Sequence, residues 1–316
     1  MSDYDPELAA VLPRLSSEDG VVRRIALRDI ADFAEEHPAL FAQAARDADP
    51  GVRLEAALAF EGAVDSQAID AVVALLGDSD EDVVGAARTA LAEIRDPKAA
   101  PTLLRHLSTA QGRVRAAILA GLRHLRQADA LTPALASLDD GHAAVRREAV
   151  GVLAYLKHAD ALPALARRVL DDTDADIRKA AVGALAYATD DSVLPVLVQA
   201  LSDADWQVRQ EAAVSLGRLR LAGAAHALIG ALADPAWEVR QKAAHALGVI
   251  RETRAVAALG EALRHPITNV RKEAAGALGA IGDHAAIPLL TAALEDADVE
   301  VRKIVAYSLS RLTLVS

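Results

Sequence analysis

Between Asp190 and Leu219 the apolar positions fall into two short periodic runs separated by a polar turn. Val193, Leu194, Val196, Leu197 and Leu201 recur at helical spacing. Pro195 sits in the first turn of that run, where a missing backbone N–H costs little. The segment Ser202-Asp203-Ala204-Asp205 follows, and Asp205 is placed to cap a second helix running from Trp206 to Leu219. On that helix Val208, Ala212, Leu216 and Leu219 share one face, while Gln207, Arg209, Gln210, Ser215 and Arg218 fall mostly off its centre. The pattern predicts a helical hairpin whose apolar side only another hairpin can bury.

The same pattern returns along the chain. Its registers are Val22-Arg23, Val52-Arg53, Val83-Val84, Val114-Arg115, Val145-Arg146, Ile177-Arg178, Val208-Arg209, Val239-Arg240, Val270-Arg271 and Val301-Arg302, with steps of 30 to 32 residues and mostly 31. Pro101, Pro133, Pro163 and Pro288 occupy places close to that of Pro195. A period of this size marks a repeat array, in which each unit buries its apolar face on its neighbours. The expected fold is all-α: a right-handed α-solenoid of about ten stacked hairpins. It forms one domain over residues 1–316 with divergent N-terminal units.

A repeated residue is first a folding requirement. Pairs of aspartates precede many of the arginines: Asp47 and Asp49, Asp78 and Asp80, Asp172 and Asp174, Asp203 and Asp205, Asp296 and Asp298. One of each pair can cap the following helix, and the arginine can reach an aspartate or carbonyl of the adjacent unit, its rigid fork presenting several donors. Arg23, Arg53, Arg115, Arg146, Arg178, Arg209, Arg240, Arg271 and Arg302, with Asp49, Asp80, Asp174, Asp205 and Asp298, are therefore expected to form a structural ladder. Val84 stands where one arginine is missing.

The pieces D-x-D-x-x-V-R and A-A-x-A-L-G are clearest in Asp203–Gly217, Val239–Gly248 and Val270–Gly279. They resemble the HEAT-like repeats named for the phycobilisome (bilin) lyases. The resemblance spans nearly the whole chain and implies stacked HEAT-like hairpins whose second helices line an inner, concave surface. It implies little about activity, because the shared motif is the structural repeat and no bilin-attachment residue can be transferred. Deoxyhypusine hydroxylase, a HEAT-repeat enzyme, holds iron with His-Glu dyads, and no His is followed by Glu here. DNA glycosylases of related architecture use aromatic residues in a basic groove. Trp206 and Trp237 instead lie at equivalent places near the starts of second helices and read as anchors at hairpin turns.

Residues that vary at exposed positions carry more information. Nine residues after the register stand His124, Tyr155, Tyr187 and Arg218 on four successive second helices, and five after it stand His245 and Tyr307 beside small Gly151 and Gly183. Helical geometry puts these two rows on one side. One residue after the register, Arg147, Lys179 and Gln210 form a basic or polar lane, partly neutralised by Glu148, Glu211 and Glu273 in the next row. These nine residues, His124, Tyr155, Tyr187, Arg218, Arg147, Lys179, Gln210, His245 and Tyr307, are the candidate partner-binding surface. Tyrosine offers an apolar face with a hydrogen-bonding tip, a frequent choice at protein interfaces.

Composition narrows the function classes. Aromatics make up 3 % of the chain, so the core must be built from Ala, Leu and Val. A net charge of −11 disfavours nucleic acid and anionic membranes as partners. With no cysteine there is no thiolate chemistry, and the scattered histidines form no metal-ligand spacing. No catalytic constellation, phosphate loop or nucleophile elbow is present, and the expectation is no cofactor and no metal. No signal peptide or membrane span is read, which makes the cytoplasm the default location. The sequence reading is a non-catalytic protein-binding scaffold or assembly and maturation factor, gripping a protein or extended peptide on its concave surface. The alternatives are a bilin-lyase-like helper handling a chromophore, for which no specific residue speaks, and a nucleic-acid-binding HEAT-like protein.

Overall fold

The computed structural model describes residues 6–62 and 65–313. Among the described residues twenty α-helices and nine single 3-10 turns make up the secondary structure, and no strand occurs. Packing divides the chain into two compact units, Met1–His158 and Ala159–Ser316. The repeat register passes through this division in sequence, from Arg146 to Arg178.

In the first unit the hairpins are α1 (Pro6–Leu15) with α2 (Gly20–Asp29), α3 (Pro38–Ala44) with α4 (Pro50–Ala59), α5 (Ser66–Leu75) with α6 (Glu81–Ala92), α7 (Ala100–Leu107) with α8 (Gly112–Arg123), and α9 (Leu131–Ser137) with α10 (Ala143–Leu156). The second unit repeats the plan with α11 (Leu162–Asp171) and α12 (Ala175–Ala184), α13 (Leu194–Ala200) and α14 (Trp206–Arg218), α15 (Ala225–Ala231) and α16 (Trp237–Ile250), α17 (Val256–Ala262) and α18 (Thr268–Ile281), and α19 (Ile287–Ala292) and α20 (Val299–Thr313). Within each unit the even-numbered second helices pack side by side in chain order. Pro101, Pro163, Pro195 and Pro288 lie at the start of first helices, where an N–H is not required.

Within each unit a second helix such as α14 packs against its own first helix and the second helices on either side, so its buried arc is wide. Val208, Ala212, Ala213 and Leu216 of α14 are fully buried. So is Ser215, which the helical pattern placed off the apolar face; its hydroxyl donates to the Val182 carbonyl of α12 at 3.4 Å. Ser308 repeats this, donating to the Ala275 carbonyl at 2.9 Å. Helices come close at the glycine of the A-L-G motif. A Cβ on Gly217 would lie 3.0 Å from the Ala246 Cα, and one on Gly248 would lie 2.8 Å from the Ala277 Cα. Alanine-rich, closely spaced helices leave little work for aromatics; Phe41 and Phe60 form an edge-on buried pair in the first unit, 6.1 Å between centroids.

The turns show how the Asp-x-Asp-x-x-Val-Arg motif operates, and they separate the roles of its two aspartates. The first aspartate receives the arginine of the preceding unit through two parallel bonds. Arg23 and Arg53 hold Asp47 and Asp78 in the first unit, and Arg178, Arg209 and Arg271 hold Asp203, Asp234 and Asp296 in the second, all at 2.6–2.9 Å. The same carboxylates accept the N–H two residues on, and the backbone carbonyls of Asp47, Asp203, Asp234 and Asp296 accept from the next arginine, as from Arg53 to Asp47 and from Arg209 to Asp203. Hydrogen bonds from the arginines hold the carboxyls of Asp47, Asp78 and Asp296 below their ordinary range.

Asp49, Asp80, Asp174, Asp205 and Asp298, expected in the ladder with the arginines, are instead helix caps. They accept from Gly51, Asp82, Asp176, Gln207 and Glu300 at the first turn of the following helix. Two positions between the residues is enough to turn one carboxylate toward the neighbouring hairpin and the other along its own helix.

The ladder also has exceptions. Twenty-five residues after Val84, where an acceptor would stand, the chain has Thr109, so both halves of that rung are absent. Here Gln111 stands at the N-cap of α8 and makes no side-chain capping bond, and Arg115 reaches Asp140 only at 3.6 Å. In the second unit His265 stands where Arg240 would meet an aspartate. Its ring nitrogen closes the turn by accepting from the Ile267 N–H at 3.1 Å, while burial and the nearby Arg240 depress its pKa. Arg240 donates to the Asp234 carbonyl. Arg146 and Arg302 likewise reach the carbonyls of Asp140 and Asp296, at 2.9 and 2.6 Å.

Candidate functional site

His124 and Tyr155 belong to the first unit, Tyr187 and Arg218 to the second. The ring of Tyr155, near the end of α10, is exposed and meets the edge of His124, which caps α8, with centroids 5.0 Å apart and planes at 84°. The Arg126 guanidinium lies 5.7 Å from the centre of the tyrosine ring, within reach of its electron-rich face. Arg123 lies over Gly151, where a Cβ would sit 2.9 Å from its Nε, and pairs with Glu148. The small residue at Gly151 thus makes room for an arginine. Burial, together with Arg95 and Arg123, lowers the His124 pKa and favours the neutral ring. Arg147 is exposed on α10.

In the second unit Tyr187 ends a single 3-10 turn, Leu185–Tyr187, that follows α12. The tyrosine is half-buried rather than fully exposed, and burial pushes its phenol up to about 12. Arg218 is exposed and donates to the Gly183 carbonyl at 3.2 Å. Lys179 donates to the Gln207 side chain at 3.0 Å. Gln210 is partly exposed on α14. Glu211 lies among Arg218, Lys179 and Lys242, yet burial raises its carboxyl above the ordinary value. His245 is exposed on α16 and meets Glu273 at 2.6 Å. Tyr307, 64 % exposed on α20, has the Arg311 guanidinium 6.0 Å from its ring centre.

A groove of about 490 Å³ opens between α14, α16 and α18, lined by Val214, Gly217, Arg218, Arg220, Lys242, His245, Val249 and Glu273. It joins Arg218 and His245 of the sequence-derived set to Arg220 and Lys242, which that set omits. Another, of about 780 Å³, lies beside the first rung between α1, α3 and α5 and includes Leu12, Leu40, Arg23 and Asp70. Trp206 and Trp237 occupy the first positions of α14 and α16 and line neither groove.

One row escaped the sequence reading altogether. Arg126, Lys157, Arg220 and Arg251 each follow a second helix and each adopts the left-handed backbone, with φ between 51° and 55°. Gly282 fills the corresponding place after α18. Glycine adopts this conformation without penalty, whereas a side chain there costs on the order of 1 kcal/mol. A cation at a helix C-terminus recovers part of that cost from the helix dipole. The signal was available as a basic residue eleven positions after the arginine register: Arg126 after Arg115, Lys157 after Arg146, Arg220 after Arg209 and Arg251 after Arg240.

Among the described residues no group of three or more histidines and carboxylates lies close enough to hold a metal ion. No described helix is long and apolar enough to cross a membrane.

Stacked hairpins with this ladder are the architecture of HEAT repeats. Overlapping stretches at 37–123, 107–186, 128–216, 168–248 and 225–310 match the family model described as HEAT repeats, and the chain belongs to that family. Among solved structures it is similar to an engineered protein, at 22% identity over 98% of this chain and 99% of that one, with a TM-score of 0.55. It is similar to Kap95p, at 16% identity over 97% of this chain and 50% of that one, with a TM-score of 0.64. Importin beta matches at 14% identity over 96% of this chain and 50% of its own, with a TM-score of 0.61. The chain thus spans about half the length of these two. At such identities the likeness concerns the fold. No curated protein is significantly similar in sequence.

Proposed function

We propose that this HEAT-repeat chain is a non-catalytic protein-binding scaffold, acting in the cytoplasm as an assembly or maturation factor, whose array over residues 1–316 grips partners on the second-helix face. The observation that carries the reading is the exposed Tyr155 ring, set edge to face with His124 and covered by the Arg126 guanidinium. In a chain with 3 % aromatic residues, whose Phe41 and Phe60 serve the core, an ordered and accessible tyrosine–arginine pair is the composition of an interface anchor. The ladder arginines support the same division of labour, since their donors are engaged in holding hairpins together. The similarly folded Kap95p acts on a protein partner, RanGDP.

The test is affinity enrichment from the native cell with wild type, Tyr155→Ala and, separately, Tyr187→Ala. Tyr155→Ala is expected to lose the partner while retaining the wild-type circular dichroism and melting profile. Undiminished capture by a folded Tyr155→Ala protein refutes the placement.

A further inference from the structure

We propose that the groove between α14, α16 and α18 binds an acidic, partly apolar peptide segment. Its carboxylates would meet Arg218, Arg220 and Lys242, and its intervening aliphatic side chains would rest on Val214 and Val249. This deepens the scaffold reading by naming the chemistry of one partner surface, and it rests on that reading.

Charge complementarity is the first argument. The protein carries a net charge of −11, yet this groove gathers two arginines, a lysine and a histidine against the single carboxylate of Glu273. Glu273 is itself engaged by His245. Neither Arg220 nor Lys242 makes an ion pair among the described residues, and Arg218 spends one donor on a carbonyl. With Glu211 beside Arg218 and Lys242, and Glu273 on His245, the cations still outnumber the carboxylates, and the surplus keeps its capacity for charge-assisted bonds to a ligand.

The second argument is independent of charge counting. Arg220 stands at φ 54°, in the left-handed position that Gly282 occupies two hairpins later. Glycine would relieve the backbone there, so a side chain at this position carries a conformational cost that the helix dipole offsets only in part. The groove also has an apolar component. Gly217 brings α14 against Ala246 of α16, and Val214 and Val249 flank this close contact.

The occupant is a peptide rather than a nucleic acid because the cations are not arranged as an uninterrupted track. Glu273 lines the groove, and Glu211 lies among Arg218, Lys179 and Lys242. These acids would oppose closely spaced backbone phosphates, whereas an acidic peptide can set its carboxylates apart with apolar residues between them. No tryptophan, tyrosine or phenylalanine lines the groove to stack a base.

Fluorescence anisotropy with the full chain and a short labelled peptide alternating glutamate and leucine tests the proposal. A glutamine–leucine peptide and a single-stranded DNA oligomer serve as competing probes. Arg220→Gly is expected to weaken glutamate–leucine binding about tenfold, the equivalent of one charge-assisted contact, without lowering the melting temperature. Glu273→Gln is expected to tighten it, an outcome that damaged folding would not imitate. Unchanged affinity in folded Arg220→Gly, weaker binding in Glu273→Gln, equal binding of the glutamine–leucine peptide, or preferential binding of the DNA each overturns the proposal. A negative result here leaves the Tyr155 experiment intact, because the Arg220 and Glu273 variants alter the second-unit groove and not the Tyr155 surface of the first unit.

Discussion

The rung between Arg209 and Asp234 gives the ladder a measurable energy. Two parallel bonds join the pair at 2.7 and 2.9 Å, and the side chains are 14 % and 7 % exposed. A hydrogen bond to a charged group contributes about 1.5–3 kcal/mol. The two bonds share one guanidinium and one carboxylate, and Arg209 keeps its bonds to the Asp203 and Ala204 carbonyls. Simple addition therefore overstates the pair, and a coupling energy of about 2 kcal/mol is expected. The assay is a double-mutant cycle in urea with Arg209→Gln, Asp234→Asn and both together, fitted with a nearest-neighbour scheme because repeat arrays unfold by units and interfaces. The internal reference is Arg264–Glu261, whose side chains are 73 % and 76 % exposed and whose coupling should be about 0.3–0.5 kcal/mol. If the Arg209–Asp234 coupling is no larger than that of the reference pair, the ladder does not join the hairpins.

Gly217→Ala and Gly248→Ala should each destabilise the chain by about 1–3 kcal/mol, since the added methyl enters a contact already at its limit; Gly230→Ala, which meets nothing within 4 Å, should not. Thermal melts of the three variants decide this. Tyr187 should ionise near pH 12, and its loss in Tyr187→Phe should remove the latest phase of the tyrosinate ultraviolet titration. Because its folded pKa lies above the unfolded value of about 10, the unfolded chain loses that proton first. The associated stability is complete below pH 10 and is lost as pH rises toward 12. Addition of a linear tetrapyrrole should leave its absorption spectrum unchanged; a stoichiometric shift would replace the scaffold reading with chromophore handling.

The architecture was legible because nearly every hairpin uses the same β-branched residue, arginine and turn, so one folding pattern is written many times. Asp205 was legible as a cap from its place before Trp206, but that Asp203 alone takes the arginine was not, since both are polar turn residues in one dimension. Only the direction of the chain at the turn sends Asp203 to Arg178 and Asp205 to the start of α14. Ser215 was misjudged for a related reason: a helix enclosed on three sides buries positions that a single apolar stripe would leave outside. Of the candidate surface, sequence spacing identified His124 and Tyr155, which meet edge to face. It missed Arg126, because a basic residue after a helix carries no periodic apolar signal, and its significance emerges from the φ of 51° that places it over the ring.

Protein binding by the second-helix face is tested most directly by placing a photo-crosslinking amino acid at Tyr155 and, as a control, at exposed Glu261 of α17. Irradiation in the native cell, followed by mass spectrometry of the adducts, reads which surface touches a partner. A discrete protein adduct from position 155 and none from position 261 is the predicted result. No adduct from position 155, or the same adducts from both positions, would contradict it.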